Sequence, residues 1–190
     1  MKKYDREENR RDFMDHQLAE SFKDLVQDHP LEKITIKNIT DRAGVVRPTF
    51  YQHFADKYQL IEWILKRELL LPAECLLTQG EMPNAVLMYA KKIWEGGIFY
   101  KRTVNSAEGK MTVQKYLQGY FKEIILQCFL EKHAEPAENP VISAECFAQS
   151  MTFWLIQFME HGEENAVELE CLNYIAHSME SMLSFRHKSA

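Results

Sequence analysis

The 190-residue chain contains few residues that interrupt helices, with only seven glycines and six prolines. Its nine methionines and its many Leu, Glu and Lys residues favour helices instead. No stretch approaches the roughly 18 consecutive apolar residues of a membrane span, so we expect no membrane partner. Residues 1–11 are densely charged and lack the apolar run of a secretory signal peptide, which predicts a cytoplasmic protein.

Motifs for metal binding, cofactor binding and catalysis are missing as well. The four cysteines are far apart, and none forms a Cys-x-x-Cys pair or has zinc-site spacing with a histidine. We expect reduced thiols on helices, with a redox sensor as the alternative. The chain also has no glycine-rich phosphate loop, no Gly-x-Ser-x-Gly and no His-Glu-x-x-His. These absences predict a protein that is not an enzyme and has no catalytic residue, metal or cofactor.

Negative charge is in excess, with 28 Asp or Glu against 23 Lys or Arg, and the excess lies in one part of the chain. Residues 1–66 carry twelve acidic and twelve basic side chains, whereas residues 67–190 carry sixteen and eleven. Between Lys33 and Lys57, five basic residues are accompanied only by Asp41 and Asp56. A locally basic segment attached to an acidic body is able to bind DNA, so the net charge does not exclude that function.

Apolar spacing and helix-stop signals predict an all-α chain. In the N-terminal part we expect helices over 8–28, from Thr35 to a stop at Gly44, over 47–54, and from Lys57 to about 71, where Pro72 ends or kinks the helix. In the C-terminal part we expect helices over 84–95, 113–132, 140–161 and 167–186. A short helix is expected over 99–104 and a loop at 108–109.

The segment from Thr35 to Phe54 has the pattern of a helix-turn-helix. Gly44 suits a turn residue with positive φ, and Pro48 suits the first turn of the helix that follows. Apolar side chains are spaced to lock the two helices together: Ile39, Ala43, Val45, Phe50 and Phe54. An ordinary helix hairpin with a glycine turn has the same spacing, so spacing alone leaves both interpretations open.

Residues 34–61 closely resemble the signature of the TetR/AcrR family of bacterial regulators, above all in the run Thr-Phe-Tyr-x-His-Phe-x-x-Lys at 49–57. The resemblance is good over roughly residues 10–65 and weak beyond. It implies a three-helix DNA-binding bundle with the helix-turn-helix in residues 1–56. It further implies that a long helix joins this bundle to a helical domain for effector binding and dimerisation in residues 57–190.

The resemblance also implies which side chains contact double-stranded operator DNA. Thr35 and Lys57 would hold phosphates at the starts of their helices. Arg47 and Gln52 would read bases, with Arg47 favouring guanine, and Thr49 and Tyr51 would contact the backbone or a thymine methyl. For His53, a buried histidine bonded to the backbone and a phosphate contact are both open. The predicted set is Thr35, Lys37, Arg47, Pro48, Thr49, Tyr51, Gln52, His53 and Lys57.

One recognition helix reads few base pairs, so we expect a homodimer on a palindromic operator. Apolar stripes on the last two long helices are candidates for the dimer interface, with an intramolecular core as the alternative: Phe147, Met151, Phe158, Leu172, Met179 and Leu183. Members of the family commonly bind a small molecule in the C-terminal bundle. Aromatic residues there are candidates for the pocket, although such stripes are more often core: Trp94, Phe99, Tyr100, Tyr116, Tyr120, Phe121 and Trp154.

Taken with the resemblance, these features predict a ligand-responsive regulator, a repressor that an unknown small molecule releases from its operator. Residues 97–102 and 116–121 also loosely resemble a subgroup that includes activators of dihydroxyacetone kinase operons, in which the sensing partner can be a protein. The alternative is therefore an activator or interaction protein whose C-terminal domain binds a protein co-regulator and no small molecule.

Overall fold

A computed structural model describes residues 4–131, 139–161 and 166–184, and the regular structure of these residues is helical throughout. Among the helices described, none combines the length and the apolar composition that crossing a bilayer requires. The elements follow in the order α1 (Tyr4–Asp28), a 3-10 turn (Leu31–Lys33), α2 (Ile36–Ala43), α3 (Arg47–His53), α4 (Lys57–Ile64), a π-helical segment (Leu65–Leu70), α5 (Leu71–Gln79), α6 (Met82–Gly96), α7 (Ile98–Val104), α8 (Ala107–Glu131), α9 (Pro140–His161) and α10 (Ala166–Ser184). The all-α prediction is confirmed.

The first three helices form a small bundle in which α1 packs across both α2 and α3. Its apolar centre includes Phe22, Ile39 and Phe50, which have no exposed surface. Phe22 also meets Phe99 of α7 edge to face at 6.1 Å between ring centroids. The bundle therefore shares its core with the C-terminal part of the chain.

The connection between the two parts differs from the predicted single helix that ends near Pro72. Helical structure runs from Lys57 to Gln79, and Leu65–Leu70 within it is π-helical. Pro72 lies in the first turn of α5, and Gly80, at φ 85°, ends that helix instead. The sequence pattern missed this continuation because a proline inside helical structure usually ends or kinks it.

The expected loop at residues 108–109 is wrong, because α8 already begins at Ala107. Gly109 lies in the first turn of α8 against α7 and the 3-10 turn. A Cβ atom there would come within 2.2 Å of the Thr103 carbonyl oxygen and 2.7 Å of Leu31 Cδ2. The glycine therefore permits close packing of the start of α8 and does not mark a turn.

The C-terminal helices form a bundle in which α9 lies along α8 and α10 packs against α9 and α6. Four residues predicted at a dimer interface are instead part of this core: Met151, Phe158, Leu172 and Met179, which are at most 8% exposed. Phe147 is half-buried and lies 6.4 Å from the ring of Phe129. The side chain of Leu183 lies outside the described residues. Four of the six candidates thus belong to the intramolecular core, the alternative that the sequence left open, because side chains buried within one chain have no surface left for a second.

Polar contacts fasten the N-terminal bundle to the rest of the molecule. Lys23 of α1 pairs with Glu68 of the π-helical segment at 2.8 Å. Burial lowers the pKa of the Lys23 ammonium, but the contacts with Glu20 and Glu68 raise it by more, so the pKa lies above its ordinary value. Arg102 of α7 donates to the Val26 carbonyl at 3.1 Å. Outside the bundle, Tyr58 of α4 donates to the Glu108 carboxylate at the start of α8. Because Arg102 lies on α7, movement of α7 would act directly on the bundle.

Candidate nucleic-acid interface

The start of α2 is held by a reciprocal pair of hydrogen bonds. The Thr35 hydroxyl accepts from the Asn38 backbone N–H at 3.2 Å, and the Asn38 side chain accepts from the Thr35 N–H at 2.9 Å. This capping box satisfies two N–H groups at the helix start and leaves Thr35 exposed. Lys37, in the first turn of the helix, pairs with Asp41 at 2.5 Å, and both side chains are exposed. The predicted start of the helix at Thr35 is thereby confirmed.

The turn between α2 and α3 depends on Gly44, whose φ of 68° is the left-handed conformation expected from the sequence. The Val45 N–H donates back to the Thr40 carbonyl at 3.0 Å. From α1, the Gln17 amide donates to the Ala43 carbonyl at 2.6 Å and holds the end of α2 in place. The turn is therefore fixed from both sides, which sets the direction in which α3 leaves it.

Helix α3 has one buried side and one exposed side. Phe50 has no exposed surface and anchors the helix, with Phe54 beside it at 5.8 Å between ring centroids. The exposed side forms a shallow surface depression lined by Arg47, Pro48, Tyr51 and Gln52. Thr49, on the same helix, is half-buried. Tyr51 is 54% exposed and rests edge-on against Phe50, so the anchor also orients this outer ring.

Arg47 differs from the neighbouring cations in having no carboxylate partner among the residues that the structure describes. Arg42 is bound by Asp24 of α1 at 2.9 Å, and Lys37 is bound by Asp41. An arginine with its guanidinium unengaged retains all five N–H donors in their planar arrangement. Such a group is suited to bidentate contact with the O6 and N7 atoms of guanine.

His53 makes a contact that neither sequence interpretation included. Its Nδ1 lies 2.6 Å from Asp15 Oδ1 of α1, and the two side chains are only 12% and 13% exposed. The partner is therefore a carboxylate and not the backbone. Asp15 was missed because it lies 38 positions away, and no local pattern links the two residues.

Lys57 faces the turn before α2. Its ammonium donates to the carbonyls of Leu31 at 2.8 Å and Ile34 at 3.1 Å, next to Thr35. Asp56 caps α4 by accepting from the N–H groups of Tyr58 and Gln59. The Lys57 ammonium has three N–H donors, and two are used here, so one remains for an anion. The structure brings Lys57 close to the start of α2, where the predicted phosphate contact of Thr35 lies.

The seven aromatic residues predicted to line an effector pocket differ in burial, and ring contacts join Phe99 to Tyr100 and Tyr120 to Phe121. Trp94 is 67% exposed on α6 and is unsuited to an enclosed site. Phe99, Tyr100 and Phe121 are buried in the core, and Trp154 lies against Phe153 on α9. Tyr116 and Tyr120 are half-buried on α8.

Burial is the largest cause of a raised pKa at Tyr120, and the nearby Glu74 and Tyr116 raise it further. Its hydroxyl has no hydrogen-bond partner in the described residues, and nor has that of Tyr89, a residue that the sequence pattern did not single out.

Side chains that could hold a metal ion do not gather in groups of three or more anywhere in the described residues. The four cysteines are free thiols, exposed at Cys75 and Cys146, half-buried at Cys171 and buried at Cys128.

Comparison with known proteins agrees with this geometry. Residues 23–64, from the last six residues of α1 to the last residue of α4, match the family described as bacterial regulatory proteins, tetR family. The matched residues include the helix-turn-helix and every predicted DNA-contacting residue, so the resemblance noted in the sequence is confirmed. The family is one of regulatory proteins, in agreement with the expectation that the chain is not an enzyme.

Two relatives extend the comparison beyond residues 23–64. The HTH-type dhaKLM operon transcriptional activator DhaS of Lactococcus lactis subsp. lactis (strain IL1403) is 28% identical over 88 residues, which are 45% of this chain. The match spans 46% of that activator, about half of its length. A solved structure, the dihydroxyacetone kinase operon activator DhaS, has a TM-score of 0.60 at 16% identity over 90% of this chain and 96% of that chain. This second likeness shows that the C-terminal helices share the fold as well.

Proposed function

We propose that this chain is a bacterial transcription regulator that recognises its operator through α3. The observation that supports this most strongly is the division of α3 into a buried apolar side and an exposed polar side. Phe50 anchors the helix, while Arg47 and Gln52 make no hydrogen bond within the described residues and point away from the core. Donors that the fold does not use are available for base edges, which carry the sequence information of DNA.

The other contacts of the predicted set surround α3 and fit a phosphate-binding role. Thr35 and Lys37 lie at the start of α2, and Lys57 lies at the start of α4, where helix N–H groups favour anions. Pro48, Thr49 and Tyr51 complete the contact area on α3. We assign His53 an indirect role, because its ring is held by Asp15 and orients α3 from behind.

Selection of binding sites from random double-stranded DNA tests the proposal directly. Purified full-length protein at fixed salt should enrich a palindrome whose half-sites are centred about 10 base pairs apart, or a multiple of that spacing. The matched control is the Arg47→Ala variant, which should still bind but with reduced preference at one position of each half-site. Recovery of unenriched sequence by the wild-type protein would contradict the proposal.

We also propose that the regulator is a cytoplasmic homodimer, with residues 1–56 as its DNA-binding domain and residues 57–190 as its dimerisation and effector domain. Because four of the six predicted interface residues are core, we assign the interface to exposed apolar residues on the same two helices. These are Val141 and Ile142 of α9 and Val167 and Tyr174 of α10, which are 48–76% exposed. Burying these side chains against a second copy removes apolar surface from water.

Sedimentation analysis of two charge-insertion variants tests the dimer. Tyr174→Glu should shift the protein toward monomer, because a carboxylate buried in an apolar interface is costly. Trp94→Glu is the control, since Trp94 is similarly exposed but lies on α6. An unchanged dimer in Tyr174→Glu would place the interface elsewhere.

Release of a repressor by a small molecule in the C-terminal domain remains our proposal for regulation. Activation, with or without a protein co-regulator, is the second candidate, and it is favoured by the likeness to the Lactococcus protein, which is a transcriptional activator. A reporter gene under the selected operator distinguishes the two in cells. Expression should rise when the regulator is deleted if it represses, and should fall if it activates.

A further inference from the structure

A polar cleft lies along the seam between α8 and α9, on the opposite edge of α8 from Tyr116 and Tyr120. Its volume is about 390 Å³, within the roughly 300–1,000 Å³ typical of small-molecule sites. Its lining is unusually rich in glutamine and includes Gln114, Gln118, Gln149, Gln157, Thr152 and Phe153. None of these residues belongs to the DNA-contacting surface or to the aromatic set predicted for an effector.

Hydrogen bonds to two carboxylates orient the glutamine amides. Gln118 and Gln149 donate their amide N–H to the Glu145 carboxylate at 2.9 and 3.1 Å, and Gln157 donates to Glu160 at 2.9 Å. With the nitrogen atoms turned toward the carboxylates, the three amide carbonyl oxygens are left to accept hydrogen bonds. Each amide also retains a second N–H donor. The cleft therefore offers several neutral donor and acceptor groups in fixed positions.

The charges around the cleft cancel in pairs. Lys122 binds Glu145 at 2.6 Å, and Lys110 binds Glu160 at 2.5 Å. A charged ligand would have to compete with one of these pairs, because each local charge already has its counter-ion. A neutral ligand would leave both pairs intact, so the electrostatics favour a ligand without net charge.

Two further side chains extend the match to a ligand that is polar along its edges and apolar on its faces. Thr152 is 3% exposed, and its hydroxyl has no hydrogen-bond partner in the described residues. A buried hydroxyl without a partner is costly, which favours a group that supplies one. Phe153 is 55% exposed and offers an aromatic ring at the cleft for packing against C–H groups.

We propose that this cleft binds a neutral polyhydroxylated molecule of the size of a sugar alcohol or monosaccharide. The ligand hydroxyls donate to the carbonyl oxygens of Gln118, Gln149 and Gln157 and accept from their remaining N–H groups. Carbon-bound hydrogens of the ligand lie against Phe153. Lys110 on the cleft wall follows Gly109, which packs against Leu31 of the N-terminal bundle, so the site is close to the contact between the two parts.

Titration calorimetry on the full-length protein tests this with xylitol, sorbitol and methyl glucoside as neutral probes and glucuronate as the charged counterpart. Calorimetry is preferred to thermal shift, because excluded osmolytes stabilise any protein without binding it. Two cleft variants, Gln149→Met and Thr152→Val, remove polar groups at nearly constant volume. Gln27→Met, an exposed glutamine on α1, is the matched control. Circular dichroism establishes that each variant is folded.

The expected result is saturable binding of at least one neutral probe with one site per chain. Both cleft variants should weaken it at least tenfold, and Gln27→Met should leave it unchanged. Absence of saturable binding for every neutral probe would overturn the proposal, as would equal affinity in the cleft variants or tighter binding of glucuronate. If a second copy of the chain covered the cleft, the probes would not bind and Gln149→Met would change the sedimentation of the protein. This result would also overturn the proposal. DNA binding of the variants is a separate readout that the proposal does not require.

Discussion

The imidazole of His53 on α3 lies 2.6 Å from the carboxylate of Asp15 on α1, and this contact is almost closed to solvent. It joins the recognition helix to the helix behind it, in a region where Phe50 and Phe54 supply the apolar packing. The orientation of the DNA-reading surface therefore depends on a polar contact beneath it as well as on hydrophobic burial.

Replacing Asp15 with alanine should destabilise the protein by about 1–3 kcal/mol, because the buried His53 ring loses its partner. Urea unfolding of the full chain measures the change. The matched control is Asp24→Ala, which removes the exposed pair between α1 and Arg42 and should cost no more than about 1 kcal/mol. Equal losses of stability in the two variants would show that the buried contact with His53 contributes no more than the exposed pair.

Arg47→Ala and Tyr51→Ala should have different effects on operator binding. Loss of a bidentate base contact removes discrimination worth about 1–3 kcal/mol at one base pair. The affinities of Arg47→Ala for the selected operator and for a single-base variant of it should therefore differ less than those of the wild type. Tyr51→Ala should weaken binding to both by a similar factor if the ring contacts the backbone. Gel shifts with the selected operator and a single-base variant, at one salt concentration, compare the two. Unchanged discrimination in Arg47→Ala would contradict its proposed role.

Lys57→Met separates a phosphate contact from a structural one. The thioether keeps the packing of the side-chain stem but removes the ammonium that binds the Leu31 and Ile34 carbonyls. If Lys57 also meets a phosphate, the slope of log K against log salt should fall by about one. Binding measured by anisotropy at several salt concentrations gives this slope. A loss of stability with an unchanged slope would assign Lys57 a structural role alone.

The two glycines of α8 should respond oppositely to alanine. At Gly109 the added Cβ meets the Thr103 carbonyl oxygen at 2.2 Å, and Gly109→Ala should cost about 1–3 kcal/mol through overpacking. At Gly119 nothing lies within 4 Å, and Gly119→Ala should stabilise the helix by about 0.5–1 kcal/mol. Chemical denaturation of both variants tests the sign. A neutral Gly109→Ala would mean that α8 shifts freely away from Leu31.

Glu145 should contribute a pH-dependent part of stability. Hydrogen bonds from Lys122, then Gln118 and Gln149, lower the pKa of its carboxyl from the ordinary 4.5 to about 2. Because the folded state holds the proton less tightly, this stabilisation is present above about pH 4.5 and is lost as the pH falls toward 2. The thermal midpoint of Glu145→Gln should be below that of the wild type at pH 7, with a gap that narrows in acid. Glu123→Gln, exposed on α8, is the control. A constant gap from pH 7 to pH 3 would refute the assignment.

Most of the helices were predictable because their signals are local. Thr35 caps α2, Gly44 has the expected positive φ, and Asn139 caps α9 by accepting from the N–H groups of Val141 and Ile142. Gly109 misled the prediction because glycine is common both in turns and at close helix contacts. Only the residues that pack against the glycine distinguish the two cases. Pro72 misled it for a similar reason, since a proline in the first turn of a new helical segment is tolerated.

By itself the sequence determined that the chain is helical and that Arg47, Tyr51 and Gln52 face outward, because spacing and capping act within about twenty residues. The helix-turn-helix between Thr35 and Phe54 also required the resemblance to the TetR/AcrR family, because an ordinary helix hairpin has the same spacing. The tertiary structure decided that Asp15 holds His53, that Met151 and Leu172 are core, and that glutamines from α8 and α9 meet in one cleft. These relationships join residues that are far apart in the chain. The packing of the helices against one another decides which apolar stripe is buried within the chain.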